Sequence, residues 1–135
     1  MLLIPTRVDR SPIHGLGLFT TRTLPAGTPI WRYVPGFDRA FTPDETVQWP
    51  DPARKHLSHY GYFDATSARW FLGGDLAIFM NHSDCPNTGA PEIQGPAPIT
   101  HALRDIAAGE EITCNYHAFD HSQKPVPAST TRASS

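Results

Sequence analysis

Proline and glycine constrain the architecture of this chain more than any other feature. The sequence contains 14 prolines and 10 glycines among 135 residues, and both residue types tend to end regular elements. Such punctuation favours short strands, for example the β-forming run at residues 28–34. We therefore predict a mainly β fold of small strands joined by many turns.

Length and charge narrow the class of protein further. At 135 residues the chain fits one domain, and it is large enough to bury roughly two-thirds of its unfolded surface. The net charge of −2 argues against direct nucleic-acid binding, which usually uses a basic surface. A basic peptide partner remains compatible with that charge.

The cysteines and the first residues indicate the cellular compartment of the protein. Cys85 and Cys114 do not form a Cys-x-x-Cys motif, and without a signal peptide we expect two free thiols in a reducing compartment. Residues 1–4 form an apolar run too short for a signal sequence or a membrane span, and Pro5 ends it. These features predict a soluble cytoplasmic protein with no membrane contact.

Local patterns predict the individual elements. Thr42 can cap a helix that starts at Pro43, and Glu45 completes a capping box. A second short helix is expected at residues 52–58, and one helical turn at residues 75–80. The expected strands are residues 2–8, 16–21, 28–34, 60–64, 69–72, 99–103 and 111–115, the last two pairing with each other across a turn at residues 107–109.

Three short motifs carry the functional information. Residues 15–17 read Gly-Leu-Gly, and residues 81–87 read Asn-His-Ser-Asp-Cys-Pro-Asn, which is too polar for a core segment. Residues 109–116 read Gly-Glu-Glu-Ile-Thr-Cys-Asn-Tyr, where apolar and polar residues alternate. That period of two predicts a half-buried strand that ends at a tyrosine.

In this order, the motifs resemble the SET domain family of protein-lysine methyltransferases. Two unrelated patterns, Asn-His-Ser-x-x-Pro-Asn and Gly-Glu-Glu-Ile-Thr-x-Asn-Tyr, occur at a suitable spacing, which is more specific than Gly-x-Gly alone. The resemblance extends over residues 11–119, like that of a compact bacterial or viral member. It implies a β-clip-like fold of small curled sheets with a short helical insert and a knot-like C-terminal segment.

The resemblance also implies a domain organisation. We expect a single SET domain at residues 1–121, with a variable insert at about residues 37–59. Residues 122–135 are expected to form a flexible tail, because Ser, Thr, Pro and Ala bury too little apolar surface to order themselves.

The implied activity is methyl transfer from S-adenosyl-L-methionine to the side-chain amine of a protein lysine. Lysine has a pKa of about 10.4, so the enzyme must favour the neutral amine by desolvation and then align it. Tyr116 matches the family's closing tyrosine and is the implied catalytic, amine-aligning residue; taken alone, it would more simply be a core residue. The implied cofactor-binding residues are Gly15, Leu16, Gly17, Asn81 and His82, with Asn81 at the amino-acid end and His82 near adenine.

Four residues are candidates for the substrate channel: Tyr60, Tyr62, Cys114 and Phe119. Either Tyr60 or Tyr62 fits the family's channel aromatic, and either could be plain core. Phe119 lies where a C-terminal lid, from His117 to about Lys124, would close, with core packing as the alternative. Cys114 stands where the family often has Phe or Tyr, and its smaller side chain indicates room for more than one methyl group.

Other interpretations compete with this one. No group of histidines has zinc-ligand spacing, so no metal is expected. Ile78 stands where many members carry arginine, which favours a non-catalytic SET-like module that binds a protein partner or the cofactor. A small β-rich structural protein is the second alternative. The expected partner is a lysine-containing protein or peptide, and a homodimer is one way to complete a minimal site.

Overall fold

The computed structural model describes residues 1–89, 92–94 and 97–122. Within these ranges the protein is mainly β, as predicted, with few and short helices. The strands are β1 (Thr6–Arg10), β2 (Leu16–Thr20), β3 (Pro29–Arg32), β4 (Arg39–Phe41), β5 (Tyr62–Asp64), β6 (Arg69–Leu72), β7 (Asn81–His82), β8 (Glu92–Gln94), β9 (Ala97–His101) and β10 (Glu111–Cys114). The helices are α1 (Pro43–Thr46) and α2 (Asp51–Tyr60), with 3₁₀ turns at Leu76–Phe79 and Tyr116–Ala118.

The strands form three small sheets. Their orders are β1-β2-β10-β7, β3-β9-β8 and β4-β6-β5. The main core joins the first two sheets and the loops between them. Its fully buried apolar residues are Leu18, Leu24, Ile30, Ile106 and Ile112.

Strand β10 is the element that organises the site, and here two predictions were wrong. It runs antiparallel to β2, with Ile112 opposite Leu18, and parallel to β7, with Cys114 opposite His82. It does not pair with β9, because β9 already has β3 and β8 as neighbours. It is also buried along its whole length rather than on one face, since its polar residues are hydrogen-bonded inside the protein.

The insert shows how local signals set element ends. Thr42 caps α1 with the predicted capping box, and Pro43 occupies the first turn. Helix α2 is longer than predicted at both ends, and Pro52 lies in its first turn, where a missing N–H costs nothing. Strand β4, at the start of the insert, was not predicted, whereas the β5–β6 hairpin was. The predicted first strand begins later, at Thr6.

The C-terminal segment crosses from the first sheet to the hairpin sheet. After Ala118, residues 119–122, here called the lid segment, dock on β5. His121 donates its backbone N–H to the carbonyl of Phe63 at 2.8 Å, and its Nδ1 accepts from the N–H of Ala65 at 3.0 Å. The knot-like threading expected of this segment stays a prediction. The predicted tail beyond residue 122, including Lys124, lies outside the described residues.

Candidate functional site

The first half of the site is a glycine cradle, formed by residues 11–17 with Asn81 and Glu111. Gly15 has a φ of +47°, a conformation that glycine adopts without strain, and its carbonyl accepts from the N–H of Ser11 at 2.9 Å. Gly17 lies against the carboxylate of Glu111, which fills the space that a side chain at Gly17 would need. The cradle therefore requires glycines for two different reasons.

Asn81 ties the cradle to the sheet. Its Nδ2 donates to the carbonyls of His14 (3.1 Å) and Leu16 (3.0 Å) and to Oε2 of Glu111 (2.9 Å). The Ser11 hydroxyl donates to the same carboxylate at 2.8 Å, so the buried Glu111 has two hydrogen-bonding partners. Asn81 Oδ1 makes no hydrogen bond to the residues that the structure describes. It is an available acceptor for a cationic group.

His82 organises Tyr116. Its Nδ1 accepts from the backbone N–H of Tyr116 at 3.0 Å, so in the neutral ring the proton sits on Nε2. That Nε2 then donates to Oδ1 of Asp84 at 2.8 Å. The imidazole also packs between the rings of Tyr116 and His117, with centroid distances of 5.3 and 5.1 Å. Both ring nitrogens of His82 are therefore already hydrogen-bonded to protein groups.

The second half of the site is an aromatic cavity of about 90 Å³. It opens between the end of α2, the β5–β6 hairpin, the end of β10 and the lid segment. All four predicted channel residues line it, together with Tyr116. The aromatic wall consists of Trp31, Tyr60, Tyr62, Phe71, Tyr116 and Phe119.

The aromatic wall is held by ring contacts. The Tyr62 ring stacks on Phe71 with a centroid distance of 5.3 Å and meets Phe119 edge-on at 5.0 Å. Tyr60 meets Phe79 edge-on at 5.8 Å. Such pairs add stability beyond buried area. Tyr60 and Tyr62 therefore both line the cavity and both pack against other rings, and their role in a substrate channel stays a prediction.

Tyr116 lies where the cavity meets the cradle. Its hydroxyl donates to the carbonyl of Met80 at 2.7 Å, and Met80 precedes Asn81 in the chain. Burial raises the pKa of the Tyr116 hydroxyl above its ordinary value of 10.0, and nearby Cys114, Asp120 and Glu111 act in the same direction. The group therefore stays protonated near neutral pH, and its oxygen lone pairs can accept a hydrogen bond from an amine.

Sequence reasoning missed several residues of the site. Glu111 was treated only as a polar strand position, although an acid within a buried strand is a signal for an internal partner. Asp120 falls within the predicted lid but was given no role there, and it lines the cavity. Leu16 was predicted to bind the cofactor mainly through its backbone, which stays a prediction; in the structure its carbonyl binds Asn81 and 49% of the residue is exposed.

In residues 1–89, 92–94 and 97–122, no three His, Cys, Asp or Glu side chains are grouped so that they could hold a metal ion. The same residues contain no helix with the length and apolar character needed to span a membrane.

Comparison with known proteins now identifies the class. Residues 15–117 match the SET domain family, and the chain belongs to that family. It is 34% identical over 116 residues to human histone-lysine N-methyltransferase 2B, and 31% identical over 125 residues to the Drosophila virilis histone-lysine N-methyltransferase trithorax. These matches cover 81% and 90% of this chain but only 4% and 3% of the relatives.

Solved structures agree on the fold. The Chaetomium thermophilum Polycomb Repressive Complex 2, as a humanized mutant bound to an inhibitor, superposes with a TM-score of 0.65 at 23% identity. That match covers 91% of this chain and 16% of the other. The β-clip-like SET fold expected from the motifs is therefore confirmed.

Proposed function

We propose that this chain is a protein-lysine N-methyltransferase that uses S-adenosyl-L-methionine. The observation that carries the proposal is the position of Tyr116, whose hydroxyl binds Met80 at the edge of the aromatic cavity. The next residue, Asn81, anchors the glycine cradle. One dipeptide thus connects a polar, glycine-lined surface to an aromatic channel, and both are needed for this reaction.

The cradle fits the amino-acid end of the cofactor. Asn81 Oδ1 is an acceptor suited to an ammonium group. Nothing lies within 4 Å of the position of a Cβ on Gly15, so the backbone there is open to close approach. His82 would contribute mainly through its backbone, because its ring already binds Tyr116 and Asp84. When bound, S-adenosylmethionine supplies an electrophilic methyl group on a sulfonium centre.

The cavity fits the lysine side chain. Its aromatic wall would surround the methylene groups and remove the amine from bulk water, which favours the neutral amine. The Tyr116 oxygen, with its own proton directed to Met80, would accept a hydrogen bond from the amine and align it. Cys114 lines the same cavity and leaves more space than an aromatic residue would.

The relatives suggest the substrate class. Both named relatives are histone-lysine methyltransferases, so we propose a histone or another basic protein as the substrate. The main rival is a non-catalytic SET-like module, which is favoured by Ile78, a cavity residue where many family members carry arginine.

Labelled S-adenosylmethionine and a pool of basic proteins would test the proposal. Label on protein lysine should be strong in the wild type and fall at least about a hundredfold in Tyr116→Phe. Asn81→Ala should lower cofactor affinity. Tyr33→Phe is the matched control, because Tyr33 packs on Phe71 but does not line the cavity. If the wild type binds the cofactor but transfers no methyl group to any lysine, the non-catalytic module is favoured. If it neither binds the cofactor nor transfers a methyl group, the proposal is rejected.

A further inference from the structure

The aromatic cavity has an unequal distribution of charge. Among its described lining residues, Asp120 is the one carboxylate, and neither lysine nor arginine is present. The remaining walls are largely aromatic rings, whose faces attract cations. The combination is chemically suited to a cation and unsuited to an anion.

Asp120 is held firmly in this position. Its Oδ1 accepts from the backbone N–H of Phe63 at 3.2 Å and from that of Ser122 at 3.0 Å. The preceding residue, Phe119, packs edge-on against Tyr62. The carboxylate is therefore fixed on the lid segment by both strand β5 and the aromatic wall.

Asp120 acts on two hydroxyl groups of the aromatic wall. It contributes to the raised pKa of Tyr62, after burial, Asp64, Asp38 and Tyr33, and to the raised pKa of Tyr116, after burial and Cys114. These two hydroxyl groups belong to different sides of the wall, β5 and the turn after β10. A cation between them would lie within reach of the same field.

We propose that Asp120 is the charge-selecting residue of the cavity, which admits the lysine side chain as its ammonium form and rejects neutral or anionic side chains. This inference rests on the proposed function. It adds a step in which the lysine side chain is recognised by its charge as it enters the cavity. Aromatic walls alone would favour a cation only modestly, and they also accept a neutral aliphatic chain because burial of apolar area is favourable. The fixed carboxylate of Asp120 supplies the main preference for the cation over the neutral chain.

The same charge has an opposite effect on the next step. A carboxylate near an amine stabilises the protonated form, so it raises the pKa of the bound lysine. Asp120 thereby favours entry of the lysine side chain as an ammonium ion. It opposes loss of the ammonium proton, which must pass to solvent before methyl transfer. The other titratable groups that line the cavity or adjoin Asp120 are His59, Tyr60, Tyr62, Cys114, Tyr116, His121 and Asp64.

Binding of two small probes tests charge selection without any methyl transfer. n-Butylammonium and 1-butanol have similar size and differ in charge, and their affinities can be measured by NMR titration of the Tyr62 and Phe119 ring signals. The wild type should bind n-butylammonium about tenfold more tightly, which corresponds to about 1.4 kcal/mol. Asp120→Asn keeps an oxygen for Phe63 and Ser122, and should remove most of the preference, leaving only the modest contribution of the aromatic faces.

Asp105→Asn is the matched control. Asp105 also accepts a backbone hydrogen bond, from Ala26 at 2.8 Å, but does not line the cavity. The preference should survive in this variant. Equal binding of the two probes to the wild type, or a preference of undiminished size in Asp120→Asn, would overturn the inference. If Asp120→Asn does not fold, the wild-type preference must still weaken as salt rises from low to high concentration, and a salt-independent preference would equally overturn it.

Kinetics separate this inference from the proposed function. With a lysine substrate, Asp120→Asn should raise KM about tenfold and shift the pH profile of kcat about one unit toward lower pH, because the bound amine loses its proton more readily. A purely structural role would not move the pH profile in that direction. Charge-dependent probe binding without methyl transfer would leave the inference standing and reject the enzyme, whereas transfer without an Asp120-dependent preference would reject the inference alone.

Discussion

One oxygen of the Glu111 carboxylate lies where a methyl group on Gly17 would be. The same carboxylate binds the hydroxyl of Ser11 and the amide of Asn81. The glycine motif, the Asn-His-Ser motif and the last strand therefore meet at a single buried acid. Motifs separated in the sequence by many residues form one hydrogen-bonded unit.

A methyl group at Gly17 should disturb this unit. In Gly17→Ala, Glu111 must move and loses its contacts with Ser11 and Asn81, so we expect a loss of about 1–3 kcal/mol in the free energy of unfolding, together with weaker cofactor binding. Urea denaturation would measure the first effect. Gly73→Ala is the control, because a Cβ there meets only ordinary contacts at 3.6 Å; equal stability of the two variants would contradict the steric argument.

Asn87 should be essential for holding β10. Its side chain is fully buried, donates to the carbonyl of Glu111 at 2.7 Å and accepts from the N–H of Thr113 at 2.9 Å. Asn87→Ala leaves both backbone groups without these partners, which should cost about 2–5 kcal/mol. Asn115→Ala removes only an exposed cap bond to His117 and should cost about 1 kcal/mol. Thermal unfolding of the two variants would show whether this order holds.

The buried tyrosines should make the fold sensitive to alkali. Burial raises the pKa of both Tyr62 and Tyr116 above 10.0 in the folded state. The folded protein then holds protons that the unfolded chain has released, so stability is complete below pH 10 and falls as pH rises further. Tyr62→Phe should flatten this fall in a series of denaturation curves from pH 8 to 11. If stability fell with pH equally steeply in the wild type and in Tyr62→Phe, the Tyr62 hydroxyl would have an ordinary pKa in the folded state.

Phe119 should hold the lid segment closed. Its ring packs against Tyr62, and its neighbours bind the backbone of β5. Phe119→Ala should cost about 1–3 kcal/mol, below the value for a fully buried ring. It should also speed hydrogen exchange at the amides of Phe63 and Ala65. Exchange that accelerates equally in β1, which is remote from the lid, would indicate general destabilisation instead.

Cys114 should influence the number of methyl groups added. In Cys114→Phe the larger ring projects into the aromatic cavity and leaves less space around the amine. Mass spectrometry of the methylated substrate should therefore shift toward the monomethyl product, whereas the wild type should add more than one group. Cys114→Ser, of nearly unchanged size, is the control and should keep the wild-type distribution.

The sequence was most informative where a residue type has a local cause. Thr42 and Glu45 predicted the start of α1 because a capping box acts within four residues. The SET motifs predicted the fold and placed Tyr60, Tyr62, Cys114, Tyr116 and Phe119 in one channel, and all five line one cavity. The roles of these residues, like the homodimer and the cytoplasmic location, stay predictions.

Non-local relationships could not be predicted in this way. The alternation in residues 111–115 indicated a half-buried strand, but Glu111 and Thr113 find internal partners on Asn81 and Asn87. Such partners lie far away in the chain, so no local period reveals them. For the same reason, the pairing of β10 with β2 and β7 was missed, and Asp120 had no visible connection to Phe63.

The central position of β10 has a consequence for folding. This strand is near the end of the described chain, yet it separates β2 from β7 and closes the first sheet. Pairings with such large sequence separation form slowly, because a long loop must be closed before any contact stabilises it. During synthesis, β2 and β7 are therefore made before β10, and the edges that pair with β10 stay exposed until it is present. A chain interrupted before residue 111 would keep those edges open to other strands, and aggregation would be its expected fate.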